Sequence, residues 1–504
     1  MAPVSDGRTI SGAPALLVAG ALLAAIGLGF VGVNGVSGTL IALEVAGVAL
    51  MLAIFMFESV GKPAERAVPV VPWLLVLALP LVGLFARSDV AILVVQMAAA
   101  GAVLWLLMGA STEELELVKA SCQQLAVPGA VLTGLFVLAW INSGLGGAPG
   151  AEFAASLMLS TVFLALPALL LARARRVDWQ TRVAWAALAL ALAGLLQLPL
   201  VIAQSHGMLS GLSGTFSELA AGGATSGEGV GRYWGSLGDY ELLAEYAMIV
   251  MLLGAAVTVV SRKMSLRVLG SVAALGALAT GLLTSTRGFV VGAAIGLVVL
   301  TLVLLSGGVA GTARRVLQIP LLILLLAGVV LAVLPSQVWQ GNLARWTEPL
   351  VGPDAFNRGL MFTAWMRLAA QSPVFGYGSQ MLAVIRNGFM DYLVASPHSL
   401  YFWVVLSAGV PALLAFLWVL GVIVFRSLRA AFRGDPALRP WAAVFVAVLV
   451  AWLANESKID ATRQLPYLDW LMFIVGLSLA VSAAALKPRT EISGPHAAKA
   501  GGSR

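Results

Sequence analysis

Apolar residues run along this chain in long unbroken blocks, separated by short polar or Gly/Pro-rich breaks. A block of about 20 apolar residues is the length a helix needs to cross a bilayer. The expected spans are 14–34, 38–56, 70–86, 90–110, 126–143, 153–172, 182–204, 241–260, 267–283, 288–306, 316–334, 400–425, 440–455 and 467–486. Two neighbouring pairs are close enough to merge. The pattern therefore predicts an all-α, polytopic integral membrane protein with 12–14 transmembrane helices. The first apolar block is too long for a secretory signal and has no clear cleavage site, so it is expected to remain as a span.

Two stretches break this rhythm. From about Gln204 to Asp239 the chain is rich in Gly and Ser; from Pro335 to about Pro397 lies the one large extramembrane module. Within the second, Asp354 is placed to cap a helix over Ala355 to Gln371. Leu360, Ala364 and Leu368 recur at i, i+4 and i+8, with Met361 and Trp365 beside them. That spacing predicts an amphipathic helix on the membrane surface or over a cavity. Ser372-Pro373 ends it, and Gly376-Tyr377-Gly378 makes a turn. The breaks divide the chain into an N-terminal scaffold (1–204), a second group of spans with the first long loop (205–334), the large extracytoplasmic loop (335–397), C-terminal spans (398–487) and a cytoplasmic tail (488–504) expected to be disordered.

Composition excludes a soluble protein. Of 504 residues, 60% are apolar and 11% charged, so no single water-facing core could hide the apolar surface and lipid must be the solvent. The net charge of +7 is read as attraction to anionic headgroups, not to nucleic acid, because the cations collect in alternate loops. With the N-terminus inside, Lys62 and Arg66, Arg173 to Arg182, Arg262 to Arg267, Arg314 and Arg315, and Arg426 to Arg439 all fall in the cytoplasm. Both termini are then cytoplasmic, and the two long loops are extracytoplasmic. The acidic stretch Ser111 to Lys119 is expected as a cytoplasmic loop, with Cys122 in the same cytoplasmic segment. A single cysteine excludes an internal disulfide and a thiolate cluster. Three scattered histidines, His206, His398 and His496, argue against a metal site. Neither metal nor cofactor is expected.

Ionisable groups at a membrane edge need a reason, since each costs about 2.5–3.5 kcal/mol at mid-bilayer on the insertion scale. Arg287, in Thr284-Ser285-Thr286-Arg287-Gly288, lies where the positive-inside rule disfavours it. It either snorkels to headgroups or binds an anion, with Gly288 allowing close approach. Arg358, near a helix start, opposes the macrodipole; its partner is either Asp354 at i−4 or an anionic ligand. His398, after Pro397 at the mouth of a span, is either a headgroup contact or a general base, because an imidazole titrates near neutrality. His206 has weaker surroundings, and His496 sits in the tail. Asp239, Glu241 and Glu245, at the entry to a span, are either rim solvation or groups that orient a sugar hydroxyl or pair with an arginine.

Taken in order, these segments resemble the O-antigen ligase and O-antigen polymerase superfamily of polytopic glycosyltransferases. Thr284-Ser285-Thr286-Arg287-Gly288 resembles its S/T-x-S/T-R-G/S element. Arg358, Trp365, Pro373 and Gly376-Tyr377-Gly378 resemble its R-x6-W … P-x-x-G-x-G loop. His398-Ser399, nine residues, then Gly409 resemble its H-[N/S/Q]-x9-G motif, although Ala412 departs from its end. Arg232, Gly235, Gly238-Asp239 and Ala244 resemble its entry to an earlier span, with Glu241 where many members have Asn. The likeness covers roughly residues 230–480.

The resemblance implies a GT-C-like fold in the bacterial cytoplasmic (inner) membrane, working on the extracytoplasmic face. It implies that Arg287 and Arg358 hold the diphosphate of a polyprenyl-diphosphate-linked oligosaccharide, and that His398 activates the hydroxyl of a glycan or glycolipid acceptor. Arg232, Asp239, Glu241, Trp365, Tyr377 and Ser399 are then expected to position substrate. Polysaccharide polymerase is the leading reading. A ligase to lipid or protein shares the site, and a flippase for the same lipids is the alternative of a different class. A flippase would call for internal symmetry and charge near mid-membrane. The sequence displays neither; its charges of interest gather at one face.

Overall fold

The computed structural model describes residues 106–144, 160–174, 178–205, 233–307, 353–388, 398–459 and 464–487, with isolated residues elsewhere. The expected spans 14–34, 38–56 and 316–334, the tail, and Arg232, His206 and His496 lie outside the described residues, as do nearly all of 70–105.

The described residues are helical, with no strand among them. In chain order the helices are α1 (Thr112–Asn142), α2 (Val162–Arg173), α3 (Trp179–Gly194), α4 (Gln197–Ser205), α5 (Tyr240–Val260), α6 (Met264–Leu283), α7 (Arg287–Ser306), α8 (Pro353–Gln371), α9 (Met381–Gly388), α10 (Leu400–Arg433), α11 (Arg439–Asn455) and α12 (Leu465–Leu486). Seven segments among them are long and apolar enough to cross a membrane, with α3 and α4 counted together and α2 and α11 shorter. The chain is a multi-pass membrane protein, helical across the described residues.

Burial follows that setting. Helix α5 is buried from Leu242 to Val260 except at Thr258, and α12 from Pro466 to Ala485 except at Met472. Apart from Glu245 and Asp469, both are predominantly apolar on every face, as centrally placed membrane helices are. The outer helices are apolar on their exposed faces too: Val131 and Ile141 on α1, Val298 and Leu302 on α7, Leu414 and Phe425 on α10. In water such faces would drive aggregation; against lipid tails they cost nothing. Helices meet where side chains are small, because lipid supplies no hydrophobic drive between spans. A Cβ at Gly254 of α5 would lie 2.8 Å from Gly270 O of α6, so these backbones touch. On α7, Gly292 and Gly296 make room for side chains of α5 (Met248, Leu252) and α11 (Asn455, Ala451), and Gly288 for those of Asn455 and Lys458.

Several expectations are corrected. The acidic stretch Ser111 to Lys119 is not a loop. Ser111 caps α1 and Glu114 closes the reciprocal bond to the Ser111 amide at 2.8 Å, so the charges extend the helix, and Cys122 lies within it. The span expected over 182–204 is present, but it is interrupted after Gly194, which divides it into α3 and α4. Helix α8 begins at Pro353, so Asp354 sits inside its first turn instead of capping it. Its buried face is Ala364, Trp365 and Leu368, while Leu360, Phe362 and Met366 are exposed. Among the described residues, three acids are buried within spans, Glu114, Glu245 and Asp469, each near the N-terminal end of its helix. Asp469 accepts from Ser160 and Gln96, which tie α12 to its neighbours.

Helix α10 carries the sharpest local departure. Gly409 adopts φ 82°, ψ 177° in mid-helix, a region open essentially to glycine. The break frees one carbonyl and one amide, and the 373–378 turn takes both: Tyr377 N donates to Leu406 O and Val410 N donates to Pro373 O, each at 2.7 Å. Gly376, at φ 60°, has no room for a side chain: a Cβ would lie 2.6 Å from Leu406 O. The P-x-x-G-x-G turn and the glycine nine residues past His398-Ser399 are thus two halves of one joint.

Candidate functional site

Four helix ends meet at one end of the bundle. Helix α5 starts there because Asp239, in extended backbone, accepts from the Glu241 and Leu242 amides at 2.7 and 3.2 Å, satisfying two orphan donors. The turn before it is built on Gly235 and Gly238, both at positive φ, and is gripped from α4. Gln204 bonds Gly235 N at 3.0 Å, and Gln197 bonds Ser236 N at 3.0 Å. The expected positioning residue Asp239 is therefore a helix cap.

That cap aims Glu241. Its carboxylate lies 3.4 Å from His398 Nδ1, and the histidine side chain is 35% exposed. The pair leaves Nε2 facing away from the carboxylate. His398 itself is fixed two residues before the start of α10, where the Leu400 amide donates to Glu456 O and Ile459 O, both at 3.0 Å. Ser399, almost fully buried, is the α10 cap residue; its carbonyl receives Trp403 N at 2.9 Å.

Arg287 opens α7. Before it, Ser285 holds φ 52°, unusual for a residue with a side chain, and the turn folds Thr286 Oγ1 back onto Thr284 O. Its depth relative to His398 follows from helix geometry. Met248 and Leu252 of α5 meet Gly292 and Gly296 of α7, so the two helices run parallel. Glu241 is seven residues above Met248, about 10 Å, and Arg287 five above Gly292, about 8 Å. The two backbones lie at nearly one level. Between them stands the turn after α11: a Cβ at Gly288 would be 3.1 Å from Lys458 Nζ and 3.4 Å from Asn455 Oδ1.

Helix α8 lies over this end. Phe362 and Trp365 pack on Phe402, with ring centroids 5.0 and 5.5 Å apart, one turn past His398. Arg358 is on α8 one turn before Phe362; its side chain lies outside the described residues. Trp365 is buried in this contact. The Tyr377 hydroxyl donates to Leu368 O at 2.9 Å, and burial pushes its phenol above the usual range, so it stays a neutral donor. Both residues serve to hold α8 in place.

Beneath the pair runs a buried polar layer. Tyr467 donates to Glu245 at 2.8 Å and Trp452 Nε1 to Glu456 at 2.8 Å. Sequence reading passed over Asn455, Glu456 and Lys458 because they sit in a short connector. The signal was available: Lys458 is a cation on the side that the sequence reading expects to be extracytoplasmic, the same signal that singled out Arg287.

Among the described residues, no three His, Cys, Asp or Glu side chains gather to hold a metal ion. Arg287, at the start of α7, and Lys458, in the turn after α11, are basic residues at this end. The chain matches no protein-family model and no curated protein.

Proposed function

We propose that the protein is a membrane glycosyltransferase of GT-C-like architecture that moves a glycan from a polyprenyl-diphosphate carrier to an acceptor hydroxyl, acting as a polysaccharide polymerase on the extracytoplasmic face of the bacterial cytoplasmic membrane. The observation that carries this reading is the His398–Glu241 pair at 3.4 Å, set at the level of Arg287. A carboxylate on one imidazole nitrogen orients the ring so that the other nitrogen accepts a proton. A cationic group at the same level receives a leaving anion.

In this reading His398 Nε2 takes the proton of the acceptor hydroxyl. The acceptor oxygen bonds the anomeric carbon of the donor glycan. The bond from that carbon to the diphosphate oxygen breaks, and its electron pair leaves with the polyprenyl diphosphate. Arg287 and Arg358, each a planar fork suited to phosphate, neutralise the charge that develops. The motif likeness supports the same assignment of roles, and the docked 373–378 turn supports it by fixing α8, and so Arg358's helix, above His398.

Arg287→Lys and Arg358→Lys keep the charge but lose the fork. Each is expected to lower release of polyprenyl diphosphate from a labelled donor by on the order of tenfold or more, and release by the unaltered protein is expected to persist in chelator. Unaltered rates in both lysine variants would overturn the arginine roles.

A further inference from the structure

We propose that α8, the 373–378 turn and the first part of α10, Leu400 to Ala408, lie in the plane of the membrane at the His398 end, and that Phe362, Met366, Val374 and Phe375 form a surface whose partner is the lipid bilayer itself. Length is the first indication. Helix α10 has 34 residues, about 50 Å of helix, against a hydrocarbon core of about 30 Å. The part after the Gly409 break, Val410 to Arg433, is about 35 Å long and fills a bilayer by itself, ending in Arg426, Arg429 and Arg433. Leu400 to Ala408 is therefore surplus to the crossing.

Two neighbours fix the depth of both ends of that segment. At its start, His398 meets Glu241 of α5. From Glu241 to Val260, where α5 gives way to Arg262 and Lys263, is about 30 Å of helix. At its far end, the turn that docks on Leu406 and Val410 also meets the end of α1, where Ser379 N donates to Ser143 Oγ at 3.2 Å. From Lys119 to Asn142 is about 35 Å of α1. The opposite ends of α1 and α10 are joined, since Arg426 donates to Ser121 O at 3.0 Å. Both ends of Leu400–Ala408 thus lie about one hydrocarbon thickness from the basic end of the bundle, so the segment runs along the surface. Helix α8 runs beside it: Phe362 and Trp365 pack on Phe402, and Tyr377, whose amide is on Leu406, donates its hydroxyl to Leu368 O.

The residues of α8 sort accordingly. Ala364, Trp365 and Leu368 are buried against the protein. Phe362, Met366 and Ala370, at i, i+4 and i+8, make an exposed apolar flank; Thr363, Arg367 and Gln371, at the same spacing, make an exposed polar one, broken only by Leu360. A helix with a protein side, an apolar side and a polar side fits a membrane–water boundary. The turn that follows is apolar and exposed too, Val374 by 53% and Phe375 by 40%. It is bracketed by outward-facing residues of two spans: Val410 and Leu414 of α10, with the Val410 amide on Pro373 O, and Ile141 of α1, two residues before Ser143. The patch therefore continues the surface that these spans present to lipid, whatever chemistry the site performs.

Nitroxide labels test this in the full-length protein in nanodiscs, with Cys122→Ser and one labelled cysteine from Met366→Cys, Val374→Cys or Arg367→Cys. Labels at 366 and 374 are expected to meet oxygen, which concentrates in lipid, more readily than a water-soluble nickel chelate, and the label at 367 is expected to show the reverse order. Greater access of the nickel chelate at both 366 and 374 would set α8 over a water-filled cavity and overturn the proposal. Low access to both reagents, with dipolar broadening between labels, would put a second copy of the chain in place of lipid and overturn it equally. If replacing Cys122 unfolds the protein, hydroxyl-radical footprinting of the unaltered chain decides. Met366, 51% exposed, should then oxidise no faster than buried Met381; oxidation on the order of tenfold faster would show it in water.

Discussion

His398→Ala is expected to lower glycan transfer by on the order of 10²-fold or more, while the protein folds and still binds its lipid-linked donor. The side chain is 35% exposed and fills no core position, so its loss leaves the packing of α10 intact. In the proposed reading the cations that hold the donor are on α7 and α8, not on α10. Glu241→Gln should produce a smaller loss, since the amide still contacts the ring but no longer supports the charge that develops on it. His398→Gln separates two roles. A positioning group could be replaced by the amide with substantial activity kept; a base could not. Full turnover in His398→Ala would remove the residue from the mechanism.

Gly409→Ala is expected to destabilise the protein by on the order of 3 kcal/mol or more. Two costs add there. The conformation at φ 82°, ψ 177° is closed to side chains, and the new Cβ would collide with the Val374 carbonyl, a backbone atom that cannot swing aside. Relief requires the 373–378 turn to lift off α10, which breaks the Tyr377 N–Leu406 O and Val410 N–Pro373 O bonds. Helix α8 would lose its anchor, so activity should fall together with stability. Thermal unfolding in detergent reads the first effect, and faster amide exchange at Tyr377 and Val410 reads the undocking. An unchanged melting temperature with full protection at both amides would show the joint to be dispensable.

Helix ends were legible wherever an apolar block met a polar break. The spans expected over 241–260, 288–306 and 467–486 start within two residues of α5, α7 and α12. Ser111 to Lys119 was misread because hydropathy reports where lipid begins, whereas a capping box lets a helix continue past it. The face of α8 was legible at Ala364, Trp365 and Leu368 and missed at Leu360, for a related reason. Leu360 and Phe362 are apolar yet exposed, so on an element beside a membrane apolarity does not tell inside from outside. Arg287, His398 and Glu241 could each be suspected from an unfavourable charge at a membrane edge. That Glu241 meets His398, and that Lys458 lies over Gly288, depend on how α5, α7, α10 and α11 pack, and no local pattern encodes those pairings. The break at Gly409 is intermediate: Gly409 and Pro411 mark a weak point in an apolar block, but only its partner turn explains why the helix breaks there.

The most direct measurement is incubation of the pure protein with one defined polyprenyl-diphosphate oligosaccharide, with the products separated by size. A ladder of glycans differing by one repeat unit, with free polyprenyl diphosphate released in step and both lost in His398→Ala, is the expected result. A single transfer to an added lipid or protein would convert the polymerase reading to a ligase. No transfer, with the intact donor instead moved across a sealed vesicle membrane, would contradict glycosyl transfer and favour a flippase.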